Sequence, residues 1–270
     1  PMILSAIGRK IRDSFSDAAQ QYEVLASLHK EIGRELSRKV IDNDGVESIL
    51  DIGMGTGWLT NRLGFYLPES HIVGMDFARG MLEEAQKKWA DFTVVQADAQ
   101  ALPFKDASFD ILVSNLAYQW IADLPGAFSD NRRVLRENGK MYITMFGHDT
   151  FQEMFAALEQ TRPVGPYVKT FRRLPSLPEV RQHLAEAGFD HVFASEEIIK
   201  VHFQDLLALL RWTKEIGANV LNPDVILGKE WLIRADEYYQ THYKDRFGVT
   251  ATFSVIWLEG QKAAENIIGI

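Results

Sequence analysis

The sequence of 270 residues contains no cysteine. Disulfide bonds, thiolate nucleophiles and thiolate metal ligands are therefore excluded, and the composition is compatible with a reducing compartment. Long apolar runs are also missing, since no uncharged stretch of about 18 apolar residues occurs. The amino-terminal segment has only a brief apolar run before charges appear, which is not typical of a targeting signal. We therefore expect a cytoplasmic protein without a membrane span.

An excess of positive charge is absent as well. Lys and Arg number 29 against 37 Asp and Glu, which gives a formal net charge of -8. General affinity for nucleic acid or for an anionic membrane surface is not expected, and an anionic partner would have to be met by a local basic patch. The histidines show no metal-ligand spacing, so no metal site is predicted.

Strand and helix patterns alternate in the middle of the chain. The predicted strands are VESILDIG, HIVGMDF, FTVVQADA, FDILVSNL and GKMYITMFG, and the predicted helices are GWLTNRLGFYL, ARGMLEEAQKKWA and LPGAFSDNRRVL. This alternation predicts an α/β fold with a parallel sheet covered by helices on both faces. In such folds ligands bind beyond the carboxyl ends of the strands.

Three regions follow one another along the chain. Residues 1–45 contain helical spacing from about 16 to 41 and predict leading helices over a cofactor site. Residues 46–147 form the predicted cofactor-binding core. Residues 148–270 predict a helical lid and substrate region, with strands at HVFASEEIIKVHF and at GVTATFSVIWLEGQK near the end.

The stretch ILDIGMGTGWLT, from Ile49 to Thr60, places glycines at alternate positions after a buried strand. Glycine permits positive φ and close approach of a ligand to the backbone, beside a helix amino terminus. A dinucleotide site needs G-x-G-x-x-G, but Trp58 occupies the third glycine position here. A nicotinamide oxidoreductase is therefore disfavoured, and a tight turn without a ligand is the alternative for the loop alone.

The segments LDIGMGTG, VGMDF, QADAQALPF and FDILVSN together resemble the class I S-adenosylmethionine-dependent methyltransferases. The resemblance implies a Rossmann-like sheet, mostly parallel with an antiparallel final strand, and S-adenosyl-L-methionine as the cofactor. The cofactor-binding residues that it implies are Asp51, Gly53, Gly55, Gly57, Asp76, Phe77, Met81, Asp98, Ala99 and Asn115.

The resemblance also implies a role for several of these side chains. Asp51 and the first loop glycine face the methionine part, and Asp76 binds the ribose hydroxyls. Phe77 and Met81 flank the adenine, and Asp98 accepts a hydrogen bond from its amino group. A carboxylate suits these roles because it accepts hydrogen bonds from hydroxyls and amines and complements a cationic sulfonium.

Three further stretches resemble the malonyl-acyl carrier protein O-methyltransferases of biotin synthesis. They are IRDSFSDAAQQYEVLASLHKEIGREL, SNLAYQWIADLPGAFSDNRRVLRENGKMYITMFG and LLRWTKEIGAN. The resemblance implies methylation of the free carboxylate of malonyl-acyl carrier protein, or of malonyl-coenzyme A, to a methyl ester. Methyltransferases for another small acid or for a quinone or lipid precursor, and a non-catalytic cofactor-binding protein, are the alternatives.

The implied reaction needs no general base, because a carboxylate is already ionised at neutral pH. Alignment of the reacting atoms and exclusion of water are the expected contributions of the enzyme. We predict that Tyr22, Tyr118 and Gln119 line the methyl-transfer cavity. Arg172 or Arg173, within YVKTFRR, is predicted to hold the substrate carboxylate.

An acyl carrier protein is acidic, so its docking surface should be basic despite the negative total charge of this chain. The predicted basic surface consists of Arg9, Lys10, Arg12, Arg162, Lys169, Arg172 and Arg173. A solvated face is the alternative for any one of these residues.

Overall fold

The computed structural model describes residues 21–89, 93–163, 173–215 and 227–264. The helices are α1 (Gln21–Ile41), α2 (Trp58–Tyr66), α3 (Arg79–Lys88), α4 (Leu124–Val134), α5 (Gln152–Gln160), α6 (Leu177–Glu186), α7 (Leu206–Glu215) and α8 (Lys229–Tyr243). The strands are β1 (Ser48–Ile52), β2 (His71–Asp76), β3 (Thr93–Gln96), β4 (Phe109–Asn115), β5 (Leu135–Phe146), β6 (Asp190–Phe203), β7 (Lys244–Asp245) and β8 (Gly248–Gln261). None of the helices in these ranges combines the length and the apolar character needed to cross a membrane.

The sheet has the strand order β3-β2-β1-β4-β5-β8-β6, with β7 paired to β8. Strand β1 runs parallel to β2 and to β4, β2 runs parallel to β3, and β4 runs parallel to β5. The β7–β8 pair is antiparallel. The predicted α/β fold with a mostly parallel, Rossmann-like sheet is thereby confirmed.

Burial on both faces explains why the sequences of the central strands are continuous apolar runs. All five residues of β1 are buried, and β4 has Ile111 to Ser114 buried in succession. Strands of a parallel sheet are buried on both faces, so their sequence does not alternate between apolar and polar residues. Leu50, Leu112 and Phe128 belong to one apolar core in this part of the protein.

The chain divides into two compact units, each assembled from separate segments. The described residues of the first, here called the sheet unit, are 29–89, 93–146, 175–196 and 256–264. Those of the second unit are 21–28, 147–163, 173–174, 197–215 and 227–255. The units therefore interleave along the chain, whereas the sequence suggested three consecutive regions.

The second unit has its own aromatic core. The Phe151 ring lies 4.9 Å from Phe253 and 6.0 Å from Trp212, measured between ring centroids. Glu153, in the first turn of α5, accepts a hydrogen bond from the Thr252 backbone N–H at 2.9 Å. Strands β6 and β8 run for 14 residues each and coincide with the two strands predicted after residue 148.

Candidate cofactor site

The glycine loop follows directly from β1 and is fixed to the next strand. The backbone N–H groups of Gly53 and Met54 both donate to the Met75 carbonyl, at 2.8 and 2.9 Å. Gly53 has a φ of 72°, and a Cβ built on it would lie 2.4 Å from the Ala117 Cβ. Glycine is the residue that satisfies both the positive φ and this close approach.

Asp76 ends β2 beside the loop, and both of its carboxylate oxygens are oriented by the backbone. Oδ2 accepts a hydrogen bond from the Gly55 N–H at 2.9 Å, and Oδ1 accepts one from the Ala78 N–H at 2.8 Å. Each carboxylate oxygen offers about two acceptor positions, so one position on each oxygen is left for a ligand. The geometry suits a pair of hydroxyls on adjacent carbons, such as those of ribose.

Apolar side chains stand exposed next to this carboxylate. Phe77 is 74% exposed and Met81 is 44% exposed, although the residues around them form a regular strand and helix. Large apolar side chains exposed side by side often mark a ligand surface. The Gln96 side-chain amide donates to the Phe77 carbonyl at 3.2 Å and so joins this surface to β3.

Asp98 lies just beyond the end of β3 and is exposed to solvent. Its Oδ1 accepts a hydrogen bond from the Gln100 backbone N–H at 2.9 Å. The neighbouring Ala99 is half-buried and packs on the core of the sheet unit. A carboxylate at this position can accept a hydrogen bond from an exocyclic amine.

Asp51 is buried beneath the glycine loop, with 1% of its surface exposed. The Thr60 hydroxyl donates to its Oδ2 at 2.6 Å, and burial raises the pKa of Asp51 to about 7. Thr60 lies in the first turn of α2, whose N-cap, Gly57, provides no side-chain acceptor. Asp51 therefore anchors the first turn of α2 beneath the glycine loop through this hydrogen bond.

The raised pKa of Asp51 predicts a pH-dependent stability. Between the ordinary Asp pKa and about 7, the folded state keeps a proton that the unfolded state has lost, so stability falls as pH rises. From about pH 5 to pH 8, the free energy of unfolding should fall, through this group, on the order of 2 to 3 kcal/mol. Chemical denaturation at both pH values gives the free energy of unfolding of the wild type and of Asp51→Asn. The difference between the two proteins should change between pH 5 and pH 8 by the amount of this loss. Asp44→Asn, which removes an exposed carboxylate, is the control. If the free energies of unfolding of the wild type and Asp51→Asn differed by the same amount at both pH values, the prediction would be refuted.

Asn115, at the end of β4, is held by protein groups at both ends of its amide. Its nitrogen donates to the His29 carbonyl of α1 at 3.0 Å, and its oxygen accepts from the Thr144 hydroxyl at 2.9 Å. A Cβ on Gly33 would lie 2.9 Å from Trp58 and 3.1 Å from Asn115, so α1 packs closely here. Asn115 thus joins α1, β4 and β5, and its predicted contact with the cofactor stays a prediction.

Tyr118 and Gln119 lie in a short 3₁₀ turn after β4 and face inward. The Tyr118 ring is fully buried, stacks on Phe128 at 5.7 Å, and its hydroxyl donates to Asn131 at 2.9 Å. The amide of Gln119 donates to the Leu116 carbonyl at 2.6 Å. Packing and internal hydrogen bonds therefore occupy both side chains, and their predicted place in a methyl-transfer cavity stays a prediction.

The remaining predicted substrate residues are only partly covered by the structure. Arg172 lies outside the described residues, as do Arg9, Lys10, Arg12 and Lys169, and only the backbone of Tyr22 is described, within α1. Arg173 is described and exposed. Arg162 forms an ion pair with Glu159 at 3.4 Å.

Several side chains that support the site were not predicted. Thr60, Gln100, Ala117 and Thr144 each contact or hydrogen-bond a predicted site residue. Their contacts join residues that are distant in sequence, so no local pattern signalled them, except that Thr60 and Gln100 lie close to their partners along the chain.

Residues 50–143 match the family profile described as Methyltransferase domain. The fold resembles that of the YcgJ protein from Bacillus subtilis, with a TM-score of 0.60 and 19% identity over 87% of this chain and 99% of that one. It also resembles Haemonchus contortus phosphoethanolamine N-methyltransferase 2, solved with S-adenosyl-L-methionine, with a TM-score of 0.55 and 20% identity over 86% of this chain and 52% of that one. The parallel sheet, the glycine loop and this domain match define a methyltransferase of the S-adenosylmethionine-dependent class.

Similarity to one curated relative extends over nearly the whole chain. The malonyl-[acyl-carrier protein] O-methyltransferase of Geobacter sulfurreducens is 34% identical over 266 residues, which cover 94% of this chain and 98% of the relative. The chain belongs to the malonyl-[acyl-carrier protein] O-methyltransferase family.

Proposed function

We propose that the protein transfers a methyl group from S-adenosyl-L-methionine to the free carboxylate of malonyl-acyl carrier protein and so forms a methyl ester. In biotin synthesis this is an early step, and the cytoplasm is the compartment that we assign to it. The observation that carries the proposal is the similarity to the Geobacter sulfurreducens enzyme over 98% of that enzyme's length.

The residues present fit the cofactor. No described protein atom lies within 4 Å of a Cβ built on Gly55, so the loop backbone is open there. The Asp76 carboxylate keeps acceptor positions free, and Phe77 offers an exposed aromatic face. When bound, the cofactor supplies a methyl group activated by a sulfonium. We assign the ribose hydroxyls to Asp76 and the adenine amino group to Asp98.

In this proposal the carboxylates of Asp76 and Asp98 act as hydrogen-bond acceptors for the cofactor, and the reaction itself needs no base. A malonyl carboxylate is ionised at neutral pH, so the attacking oxygen needs no proton removed. The protein's contribution is then to align the two substrates and to exclude water from the charges that the reaction cancels.

Transfer of labelled methyl from S-adenosyl-L-methionine tests the proposal directly. We expect label in malonyl-acyl carrier protein and none in acetyl-acyl carrier protein, which lacks the free carboxylate. Malonyl-coenzyme A, in a parallel reaction, measures the contribution of the carrier. Label in a different small acid, with none in either malonyl thioester, would refute this substrate assignment while preserving the methyltransferase activity.

Recognition of the substrate carboxylate is assigned to Arg172 or Arg173. A guanidinium holds one carboxylate oxygen by paired donors and remains charged when partly desolvated. Changing the responsible arginine to methionine should lower kcat/KM for malonyl thioester roughly tenfold to several hundredfold, with cofactor affinity unchanged. Steady-state kinetics of Arg172→Met and Arg173→Met measure this effect.

Arg181→Met is the matched control, since Arg181 is an exposed arginine on α6. Its kcat/KM should equal that of the wild type. Wild-type kcat/KM in both Arg172→Met and Arg173→Met would show that other groups hold the carboxylate.

A further inference from the structure

The side chain of Gln100 bridges two loops at the edge of the cofactor site. Its oxygen accepts a hydrogen bond from the Asp123 backbone N–H at 3.0 Å. Its nitrogen lies 3.3 Å from each of the two carboxylate oxygens of Asp98. The Gln100 backbone N–H adds a third hydrogen bond to Asp98, at 2.9 Å.

Both ends of the Gln100 amide specify the same orientation. A backbone N–H needs an acceptor, which the amide oxygen provides, and a carboxylate needs a donor, which the amide nitrogen provides. The Asp123 end is itself fixed, because the Asp123 side chain accepts a hydrogen bond from the Gly126 N–H at 3.0 Å and caps α4. The start of α4 therefore determines the direction in which Gln100 presents its donor.

A carboxylate held in this way has one preferred direction for its remaining acceptor positions. Asp98 is exposed, so without a bound donor its side chain could take several rotamers. Ordering a side chain before the ligand arrives lowers the entropic cost of binding.

We propose that Gln100 is a positioning residue that orients Asp98 toward the 6-amino group of a bound adenine and so sets the preference for adenine over purines that lack this group. The inference rests on the proposed function, in which Asp98 accepts that amino group. Gln100 itself need not touch the cofactor.

Calorimetric titration with two ligands tests the inference: S-adenosylhomocysteine, and its analogue in which purine replaces adenine. The wild type should bind S-adenosylhomocysteine about tenfold more tightly, the equivalent of one hydrogen bond to a charged group. In Gln100→Met this preference should fall below about threefold, with the affinity for the purine analogue unchanged.

Gln100→Glu tests the hydrogen bond to Asp98 separately from the hydrogen bond to the Asp123 N–H. The glutamate keeps an acceptor for the Asp123 N–H but removes the donor that faces Asp98, so it should lose the preference as Gln100→Met does. Gln182→Met is the control, because the exposed Gln182 amide donates to the Glu186 carboxylate at 2.8 Å on α6. That control should keep the wild-type preference.

If Gln100→Glu and Gln100→Met both kept the preference for S-adenosylhomocysteine over the purine analogue, the inference would be overturned. An equal loss of affinity for both ligands would also overturn it, because that result indicates a merely structural role. These results leave the proposed function intact, since the wild type still distinguishes the two ligands. Equal binding of the two ligands by the wild type would instead overturn the inference together with the role of Asp98. No binding of S-adenosylhomocysteine at all would overturn it together with the proposed function.

Discussion

Replacing Gly53 with alanine is expected to lower cofactor affinity by roughly a hundredfold or more and to destabilise the folded protein. The positive φ of 72° costs a residue with a side chain about 1 to 2 kcal/mol. The new Cβ would also lie 2.4 Å from the Ala117 Cβ, and relieving such a contact costs about 1 to 3 kcal/mol more. Either the loop or the segment after β4 must shift, and the loop is the part that a ligand approaches. Titration with S-adenosylhomocysteine and chemical denaturation measure the two effects.

Gly45→Ala separates the backbone strain of a positive φ from the close contact of a new Cβ with a neighbouring atom. Gly45 has a φ of 67°, close to that of Gly53, but no atom lies within 4 Å of a Cβ built on it. It should therefore show the cost of positive φ alone and leave cofactor affinity unchanged. Adding Ala117→Gly to Gly53→Ala removes the opposing Cβ and should restore much of the lost affinity. Equal destabilisation in Gly45→Ala and Gly53→Ala, with normal binding in both, would show that the close approach is unimportant.

The location of the site could be predicted from sequence because it depends on backbone topology. Asp51, Asp76 and Asp98 lie at or just beyond the ends of β1, β2 and β3, and these strands are neighbours in one parallel sheet. Carboxyl ends of parallel strands share an edge, so strand prediction alone brings the three carboxylates to one edge of the sheet. Local periodicity is sufficient for that step.

The direction of each side chain could not be predicted in the same way. Leu116 adopts a φ of 55°, which is unusual for a residue with a branched side chain, and the turn that follows directs Tyr118 into the core. No local pattern in NLAYQW signals this conformation, so the burial of Tyr118 and Gln119 could not be predicted from the sequence. The partners of Asn115 lie 86 and 29 residues away, beyond the reach of any motif.

The boundaries of the two units could not be predicted from hydrophobic periodicity either. Strands β6 and β8 each contribute residues to both units, so the division falls inside strands rather than at linkers. Polar and proline-rich segments are the boundaries that a sequence displays, and such segments favour three consecutive regions in this chain.

Asp76→Ala is expected to weaken S-adenosyl-L-methionine binding roughly a hundredfold to ten-thousandfold. Under the proposed function two ribose hydroxyls lose a charged acceptor, at about 1.5 to 3 kcal/mol for each contact. Asp76→Asn should also bind poorly, because an amide nitrogen would face one of the two backbone N–H groups, of Gly55 and Ala78, that now donate to the carboxylate. Calorimetric titration of both variants at constant pH measures the loss.

Asp106→Ala is the matched control for this change, because Asp106 is an exposed carboxylate whose ion pair with Arg133 lies between loop residues and α4. Exposed pairs contribute at most about 1 kcal/mol, so stability and cofactor affinity should change little.

A second readout comes from Asp51, whose raised pKa is due in part to the negative charge of Asp76. Removing that charge should lower the pKa of Asp51 and shift the pH at which stability declines to a lower value. Unchanged cofactor affinity in folded Asp76→Ala would show that Asp76 only organises the backbone of the glycine loop, while an unchanged pH dependence would show that the two carboxylates do not interact.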